Sequence, residues 1–318
     1  MRPTTRFALL AAVLVARPAG AAVTTRAIVF LWDGTQRAHM LQLYDAQPTQ
    51  LPRLHALVAA GGLLRTDVTI DTDTCLPGSG DGYETETGPA NSAIVTGYGY
   101  PEQGNQDNGA PGPIPAGRTF FERVKAAHPE VRTGMITSKH YDFWPLVPLQ
   151  NAQGSIDHWY TEQVDNPRIA DEAITFLRNN RSSPFFLWVH FRFPDENGHQ
   201  FGENSPQYGN SLIGDDTQTG RVLDEVAALG LAADTTVFVT TDHGFEEDGT
   251  QHEACTAETK NVWLASNRAA AIGRVGVAAH QTSIAPTLFD LFGICKNVTP
   301  AFPSESLWTG TPACCTCC

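Results

Sequence analysis

A handful of side chains in this sequence could do chemistry together. They are Asp33, at the end of an apolar run; the pair Asp195 and His199, four residues apart; the adjacent Asp242 and His243; and His252 shortly beyond. Carboxylate oxygens and imidazole nitrogens suit a zinc-like divalent ion, and six such donors suffice for two three-ligand sites. Two ions about 4 Å apart clamp the attacking and leaving oxygens of a phosphoryl displacement. Such a site needs a nucleophile, and Thr87, in Thr85-Glu86-Thr87-Gly88-Pro89, stands where a short helix would begin. Unpaired backbone N–H groups at a helix start receive an anionic substrate, and coordination to a metal makes an alkoxide available near neutral pH. The expected chemistry is two-metal hydrolysis of phosphate esters.

Taken singly, each residue has a plainer reading. Asp33 before Gly34 could be a turn residue, Thr87 an N-cap, Asp242 a helix or turn cap, and His252 a solvated histidine in a polar loop. His280 competes with His252 as the sixth ligand, and His252 is favoured. The argument for a site rests on the conjunction, and on where the elements place it.

Ala27 to Trp32 is an uninterrupted apolar run, the pattern of a strand buried on both faces. Further strands are predicted over 64–70, 131–137, 184–193, 235–241 and 261–265, and helices over 51–60, 119–127, 169–178, 211–229 and 283–292. Strands alternating with helices predict an α/β fold, with a largely parallel central sheet and helices on both faces. Asp33, Asp195 and Asp242 each follow the C-terminal end of a predicted strand, where open α/β sheets bind ligands. Residues more than 200 positions apart therefore converge.

The 318 residues have room for one large domain. Residues 1–21 read as a secretory signal peptide: Arg2 and Arg6, an apolar run from Phe7 to Ala16, and Ala19-Gly20-Ala21 as cleavage site. The run is too short to span a membrane, and no later segment could. Export to the periplasm or the extracellular space is the expected location. Cleavage removes three arginines and no acid, taking the formal charge from −13 to −16, which argues against a nucleic-acid-binding surface. A small phosphate ester remains a compatible partner, because metals reverse the local field. The seven cysteines include Cys75, Cys255, Cys295 and a terminal Cys314-Cys315-Thr316-Cys317-Cys318. An odd number cannot pair completely within one chain. Residues 22–296 read as the catalytic domain and 297–318 as a cysteine-rich tail, whose terminal cluster resembles a metal or disulfide cluster but, lacking a recognised zinc spacing, reads as a disordered, partly oxidised tail.

Thr87-x-Pro89, with Thr96-Gly97 nine residues on, resembles the nucleophile segment of the alkaline phosphatase superfamily. The closest resemblance is to the type I phosphodiesterase/nucleotide pyrophosphatase family, which uses threonine there. Sulfatases of the superfamily carry a cysteine at this place and an arginine where this chain has Asn91. Cys75-Leu-Pro-Gly-Ser only mimics their motif. The resemblance implies that Asp33, Asp242, His243 and Thr87 hold one zinc and Asp195, His199 and His252 the other. It implies attack by Thr87 through a phospho-threonine intermediate, with Asn108 donating to a phosphoryl oxygen, as would a backbone N–H near Gly88. His190 stands where alkaline phosphatases place a glutamate of a third, magnesium site, so no such magnesium is expected. Lys139 reads first as a solvated surface lysine. Its second reading is the lysine with which some zinc phosphomonoesterases hold a terminal phosphate, although Tyr141 replaces their arginine. Phosphodiesters are the first expectation for substrate, phosphomonoesters the second, and a catalytically silent metal-binding homologue the alternative of a different class.

Overall fold

The computed structural model of the chain describes residues 25–46, 49–70 and 85–310. Residues 1–21, read above as a signal peptide, Cys75 and the terminal cysteine cluster lie outside them. Eight strands form one sheet: β1 (Arg26–Trp32), β2 (Leu63–Thr69), β3 (Arg132–Thr137), β4 (His158–Thr161), β5 (Phe185–Phe191), β6 (Thr235–Thr240), β7 (Asn261–Ser266) and β8 (Ala279–His280). Their spatial order is β4-β3-β5-β1-β6-β7-β2-β8. β1 lies between β5 and β6 and is parallel to both, with Trp32 opposite Phe191 and Leu31 opposite Thr240. The carboxyl ends of these three strands therefore open at one level.

Alternation of side chains splits the strands between two cores. Ala27, Val29, Leu31, Phe186, Trp188 and Phe238 face one; Ile28, Phe30, Trp32, Phe185, Leu187 and Val239 face the other. The helices are α1 (Arg37–Asp45), α2 (Pro52–Ala59), α3 (Thr87–Thr96), α4 (Phe120–Ala127), α5 (Asn166–Asn179), α6 (Phe193–Phe201), α7 (Pro206–Ala228), α8 (Ala257–Lys260), α9 (Ala269–Ile272) and α10 (Ile284–Leu291). Side chains of α3, α4, α9 and α10 cover the first core, and those of α1, α2, α5 and α7 the second. This is the expected sheet with helices on both faces.

The structure departs from the sequence reading in two places. β7 runs antiparallel to both of its neighbours. The segment 241–260 that leads into it carries only α8, so the chain turns back without the long crossover helix that a parallel return requires. Nor does the packed chain stop at 296. Leu307 is buried among the core residues, the Tyr98 hydroxyl donates to Pro300 O at 2.7 Å, and Arg274 N donates to Leu307 O at 3.0 Å. The expected disordered tail does not begin at 297. Among the described residues, no helix is long and apolar enough to cross a membrane.

Candidate active site

Four of the candidate ligands sit just beyond a strand's carboxyl end. Asp33 follows β1 directly, Asp195 lies in the first turn of α6 after β5, and Asp242 and His243 follow β6. His199 is one helical turn past Asp195, so both reach the same space from α6. The turn at Gly34 has φ +66°, and a Cβ there would come within 2.8 Å of Phe245 and 3.0 Å of the Asp195 backbone. Only glycine lets Asp33 and Asp195 approach.

Three histidines present the same face to this space. His243 Nδ1 lies 3.1 Å from Gly244 O, His252 Nδ1 2.7 Å from Thr85 O, and His199 Nδ1 2.8 Å from Thr250 O. A carbonyl oxygen only accepts, so each Nδ1 carries a proton, and each ring, when neutral, presents a lone pair at Nε2. The Nε2 atoms of His199 and His252 are 3.2 Å apart. Asp195 Oδ1 lies 3.3 Å from the first and 3.6 Å from the second, and it is buried without a hydrogen bond. With both rings neutral, two facing lone pairs and an orphaned carboxylate oxygen fit a divalent cation. Asp33, Asp195 and His243 form a second such grouping. His243 Nε2 is 3.5 Å from Asp33 Oδ1 and 3.8 Å from Asp242 Oδ2. His280 stands apart from these groupings, its Nδ1 2.9 Å from the Thr69 hydroxyl.

Thr87 is the first residue of α3 and is buried between these groups. Its Oγ1 lies 3.5 Å from Asp33 Oδ1 and 3.4 Å from His243 Nε2. Lys139 Nζ donates to it at 3.1 Å. The reading of Lys139 as a solvated surface lysine is therefore corrected: it is only 3% exposed, with Nζ 2.8 Å from Asp33 Oδ2 and 2.7 Å from Asp195 Oδ2. A buried lysine needs such partners, and both lie far away in sequence, where local composition gives no sign of them.

Asn108 donates its backbone N–H to the Glu86 carboxylate, and its Oδ1 accepts from Gly88 N at 2.9 Å. The Gly88 N–H expected to hold a phosphoryl oxygen is thus engaged with Asn108, whose oxygen is fixed inward and whose Nδ2 is left to the cavity. A Cβ at Gly88 would meet Phe143 O at 2.5 Å and Asn108 Oδ1 at 2.8 Å, so this close fit needs glycine. The cavity, about 480 Å³, is lined by Thr87, Asn108, Lys139, Tyr141, Phe143, Asp195, Glu196, His199, Gln200, His252 and Glu253.

Four residues bear on the site that motif reasoning left without a role. Asn91, at the position of the sulfatase arginine, donates from Nδ2 to Thr87 O and to Asp242 Oδ2, both at 2.8 Å. Phe245 packs its ring among His199, His243 and His252. Trp144 Nε1 donates to His190 Nδ1 at 3.1 Å. An indole N–H can only donate, so His190 Nδ1 accepts, and its proton sits on Nε2, 2.7 Å from Asp33 Oδ2. His190 lies close to Asp33 and Asp242, yet with both nitrogens engaged it offers no lone pair to an ion. The position of Phe245 one residue past His243-Gly244 was the available signal for it; Trp144 gave none.

Electrostatics follow from burial and from these partners. Burial works to raise the Asp33 carboxyl, but Lys139 and the hydrogen bond from His190 outweigh it and hold it below the ordinary range. Burial is likewise outweighed at Asp195, by Lys139, His199 and His252, and that carboxyl lies well below the usual value. Asp242 goes the other way, raised by burial and by Asp33. Burial works to lower Lys139, but Asp195, Asp33 and Asp242 hold it above its usual value, as an ammonium. Burial lowers His243, and burial together with His243 lowers His252 to about 3. Burial works to lower His199 too, but Asp195 and the Thr250 carbonyl outweigh it and raise it, so of the three imidazoles His243 and His252 are the ones pushed toward the neutral form that ligates a cation.

Comparison with known proteins agrees with this geometry. Residues 117–257 match the sequence model of the family described as Type I phosphodiesterase / nucleotide pyrophosphatase. That is less than half of the chain; it takes in Lys139, Asp195, His199, Asp242, His243 and His252 but not Asp33, Thr87 or Asn108. Steryl-sulfatase of Mus musculus is 41% identical over 85 residues, 24% of this chain and 13% of that enzyme. The chain thus spans far less than two thirds of the curated relative it matches. Among solved structures, a 2-O GAG sulfatase superposes with a TM-score of 0.65 at 15% identity, covering 89% of this chain and 73% of that one. The C-terminal periplasmic domain of EcEptC from Escherichia coli gives 0.62 at 15% identity, covering 90% and 86%. At such identities the likeness is one of fold, and the fold is alkaline phosphatase-like α/β. The buried Asp and His clusters and the family match support a metal-dependent hydrolase.

Proposed function

We propose that the chain is an exported two-metal hydrolase of phosphate esters that acts through Thr87 and prefers diesters. The observation that carries this reading is the position of Thr87 Oγ1. It lies at a helix start, 3.4 Å from His243 Nε2, 3.5 Å from Asp33 Oδ1 and 3.1 Å from Lys139 Nζ.

In this reading Asp195, His199 and His252 hold one divalent ion, and Asp33, Asp242 and His243 the other; zinc suits the mixed carboxylate and imidazole donors. Bound there, the ions supply Lewis acidity to the attacking and leaving oxygens. Thr87 Oγ1 gives up its proton and attacks phosphorus in line; the opposite P–O bond breaks and its oxygen leaves as the protonated alcohol, and water then cleaves the Thr87–phosphorus linkage and restores the hydroxyl. The Lys139 ammonium beside Oγ1 favours the alkoxide over the alcohol. Asn108 Nδ2 holds an equatorial oxygen, where transition-state charge collects. Asn91 fixes both the Thr87 backbone and Asp242.

Diesters come first: the Thr87 segment and Asn108 resemble the diesterase branch, and this resemblance carries the preference. Among the described residues that line the cavity, Lys139 is the sole fixed cation, and its charge is committed to Asp33 and Asp195. The monoester reading stays second because the N–H that now meets Thr87 could reach a phosphoryl oxygen. Disulfides at Cys255 and Cys295 suit an oxidising location, as does the N-terminal sequence pattern.

The test is metal content together with hydrolysis of bis(p-nitrophenyl) phosphate, p-nitrophenyl phosphate and p-nitrophenyl sulfate, for the wild type and for Thr87→Ala. Expected are bound zinc in both proteins, diester turnover abolished by chelator, and loss of about three orders of magnitude in kcat for Thr87→Ala. Near-full turnover by Thr87→Ala would sink the covalent route. A monoester or sulfate preference would reassign the substrate.

A further inference from the structure

The two residues that flank Thr87 both reach Asn108. Glu86, at the N-cap of α3, is 7% exposed, and its side chain makes no hydrogen bond to its own helix. A capping box is closed to it, because the third residue of the helix is Pro89, which has no N–H to cap. The Glu86 carboxylate accepts instead the backbone N–H of Asn108, 22 residues on. Asn108 returns the service: its Oδ1 caps the helix at Gly88 N, 2.9 Å away. The neighbours of the proposed nucleophile thus hold one loop residue at two points, by its backbone and by its carboxamide.

Each point fixes something different. An N–H only donates, so the contact at Gly88 makes Oδ1 face the helix and turns Nδ2 to the cavity. It does not fix how far Nδ2 reaches, because a side chain held by one hydrogen bond can still swing about it. The Glu86 contact removes that freedom by holding the main chain from which the side chain springs, and a charged acceptor makes it roughly twice as strong as a neutral one. The rest of the loop has anchors of its own. Asn105 is fully buried, donates to Ser92 Oγ of α3 at 3.3 Å and accepts from Gly112 N at 3.1 Å. Gln103, equally buried, closes on Asn105 with both ends of its amide. Loss of the Glu86 carboxylate leaves these anchors in place and loosens Asn108.

We propose that Glu86 is a positioning residue for the oxyanion donor: it holds the Asn108 main chain so that Nδ2 meets an equatorial phosphoryl oxygen, and it serves turnover only through Asn108. The proposal rests on the reading of Asn108 above and adds the residue that places it. Glu86 itself stands outside the cavity lining. Misplacing a group by about 1 Å costs about 100-fold in rate, whereas binding of the ground-state ester spreads over the whole cavity and changes little. The loss therefore falls on kcat and not on KM. A residue needed only for packing would show no such selectivity, and its effect would not vanish with the Asn108 carboxamide.

The experiment is a double-mutant cycle on the full chain in the presence of zinc. It measures kcat and KM for bis(p-nitrophenyl) phosphate in wild type, Glu86→Ala, Asn108→Ala and the double variant. Expected is a loss in kcat of about 100-fold for Asn108→Ala. Glu86→Ala should lose about 10–100-fold with KM within about threefold, but less than about threefold when Asn108 is already alanine. Glu86→Gln, whose amide oxygen accepts the same N–H, should recover most of the lost kcat. An undiminished Glu86→Ala loss in the Asn108→Ala background would overturn the proposal, as would full kcat in Glu86→Ala itself. Full turnover by Asn108→Ala would instead overturn the reading of Asn108 as donor and the proposal with it, and no ester turnover by wild type would overturn the functional reading. Glu86→Asp, which keeps the charge and draws the acceptor back by one methylene, decides the same cycle if Glu86→Ala fails to fold.

Discussion

Phe245 offers the sharpest test of how the ligands are held. Its ring is fully buried, edge-on to His199 at 5.2 Å, His252 at 5.4 Å and Tyr208 at 5.8 Å. Aromatic pairs of this kind are worth about 0.5–1.5 kcal/mol each beyond area burial, and a buried Phe→Ala change costs about 3–5 kcal/mol in all. Side chains that orient metal ligands from behind usually account for about 10–100-fold in metal affinity. Phe245→Ala should therefore destabilise the metal-free protein and weaken zinc binding at Asp195, His199 and His252 by about 1.4–2.8 kcal/mol. Gly198 supplies the internal control. It lies in α6, and a Cβ there would come within 2.5 Å of the Phe245 ring tip. In wild type, Gly198→Ala overpacks and should cost about 1–3 kcal/mol. Without the ring the clash is gone, and alanine is favoured over glycine in a helix by about 1 kcal/mol. The effect of Gly198→Ala should thus change sign between backgrounds, a coupling of about 2–4 kcal/mol in a double-mutant cycle. Urea unfolding of the four metal-free proteins measures the cycle, and chelator competition measures zinc affinity. Equal destabilisation by Gly198→Ala in both backgrounds would refute the contact argument. Unchanged zinc affinity in Phe245→Ala would show that the ring fills the core without orienting ligands.

Two further outcomes follow from individual contacts. Asn91→Ala leaves Thr87 O and Asp242 Oδ2 without their donor; it should cost about 1–3 kcal/mol in urea unfolding and weaken zinc retention on dialysis, and a stable variant with unchanged retention would contradict the role given to Asn91. Acid should destabilise the metal-free protein through His252, which burial and His243 push down to about 3 in the fold, below the ordinary histidine value of about 6.5. The unfolded chain takes up this proton first, so the contribution is complete above about pH 6.5 and is lost as pH falls toward 3, amounting to about 2 kcal/mol by pH 5. The slope of Tm against pH between 7 and 5 should flatten in His252→Gln; an equal slope in both proteins would exclude His252 as its source.

The parts of this molecule legible in sequence are those whose physics is local. β1, β5 and β6 announce themselves as apolar runs because they are buried on both faces, and the carboxylates follow at their ends. α1 escaped because Met40 is its one buried side chain, which leaves no apolar stripe to detect. β4 escaped because four residues, His158-Trp-Tyr-Thr161, are too few to show alternation. The antiparallel sense of β7 depends on how the chain leaves the site loop, not on its own residues. Asp33, Asp195 and Asp242 stood out by type and spacing, but the inward turn of Lys139 could not. Thr137-Ser138-Lys139-His140-Tyr141 is a polar stretch like many surface loops, and what buries its lysine is two carboxylates on other strands' ends.

That lysine and His190 belong to one argument. A glutamate at 190 would place a fourth carboxylate behind Asp33, and the added charge would ask for a further cation. The histidine instead gives Asp33 a proton donor, fixed in its tautomer by the Trp144 N–H. Charge compensation at Asp33 then comes from Lys139, a cation that the chain supplies itself and that cannot be lost to a chelator. The same ammonium reaches Asp195 and Thr87, so the cation that keeps the carboxylates of two candidate ligand groups together also touches the hydroxyl proposed as nucleophile. A neutral donor at 190 is therefore coherent with a covalently tethered cation two residues past the end of β3. It makes the electrostatic state of Asp33 a property of the fold, present before any ion arrives.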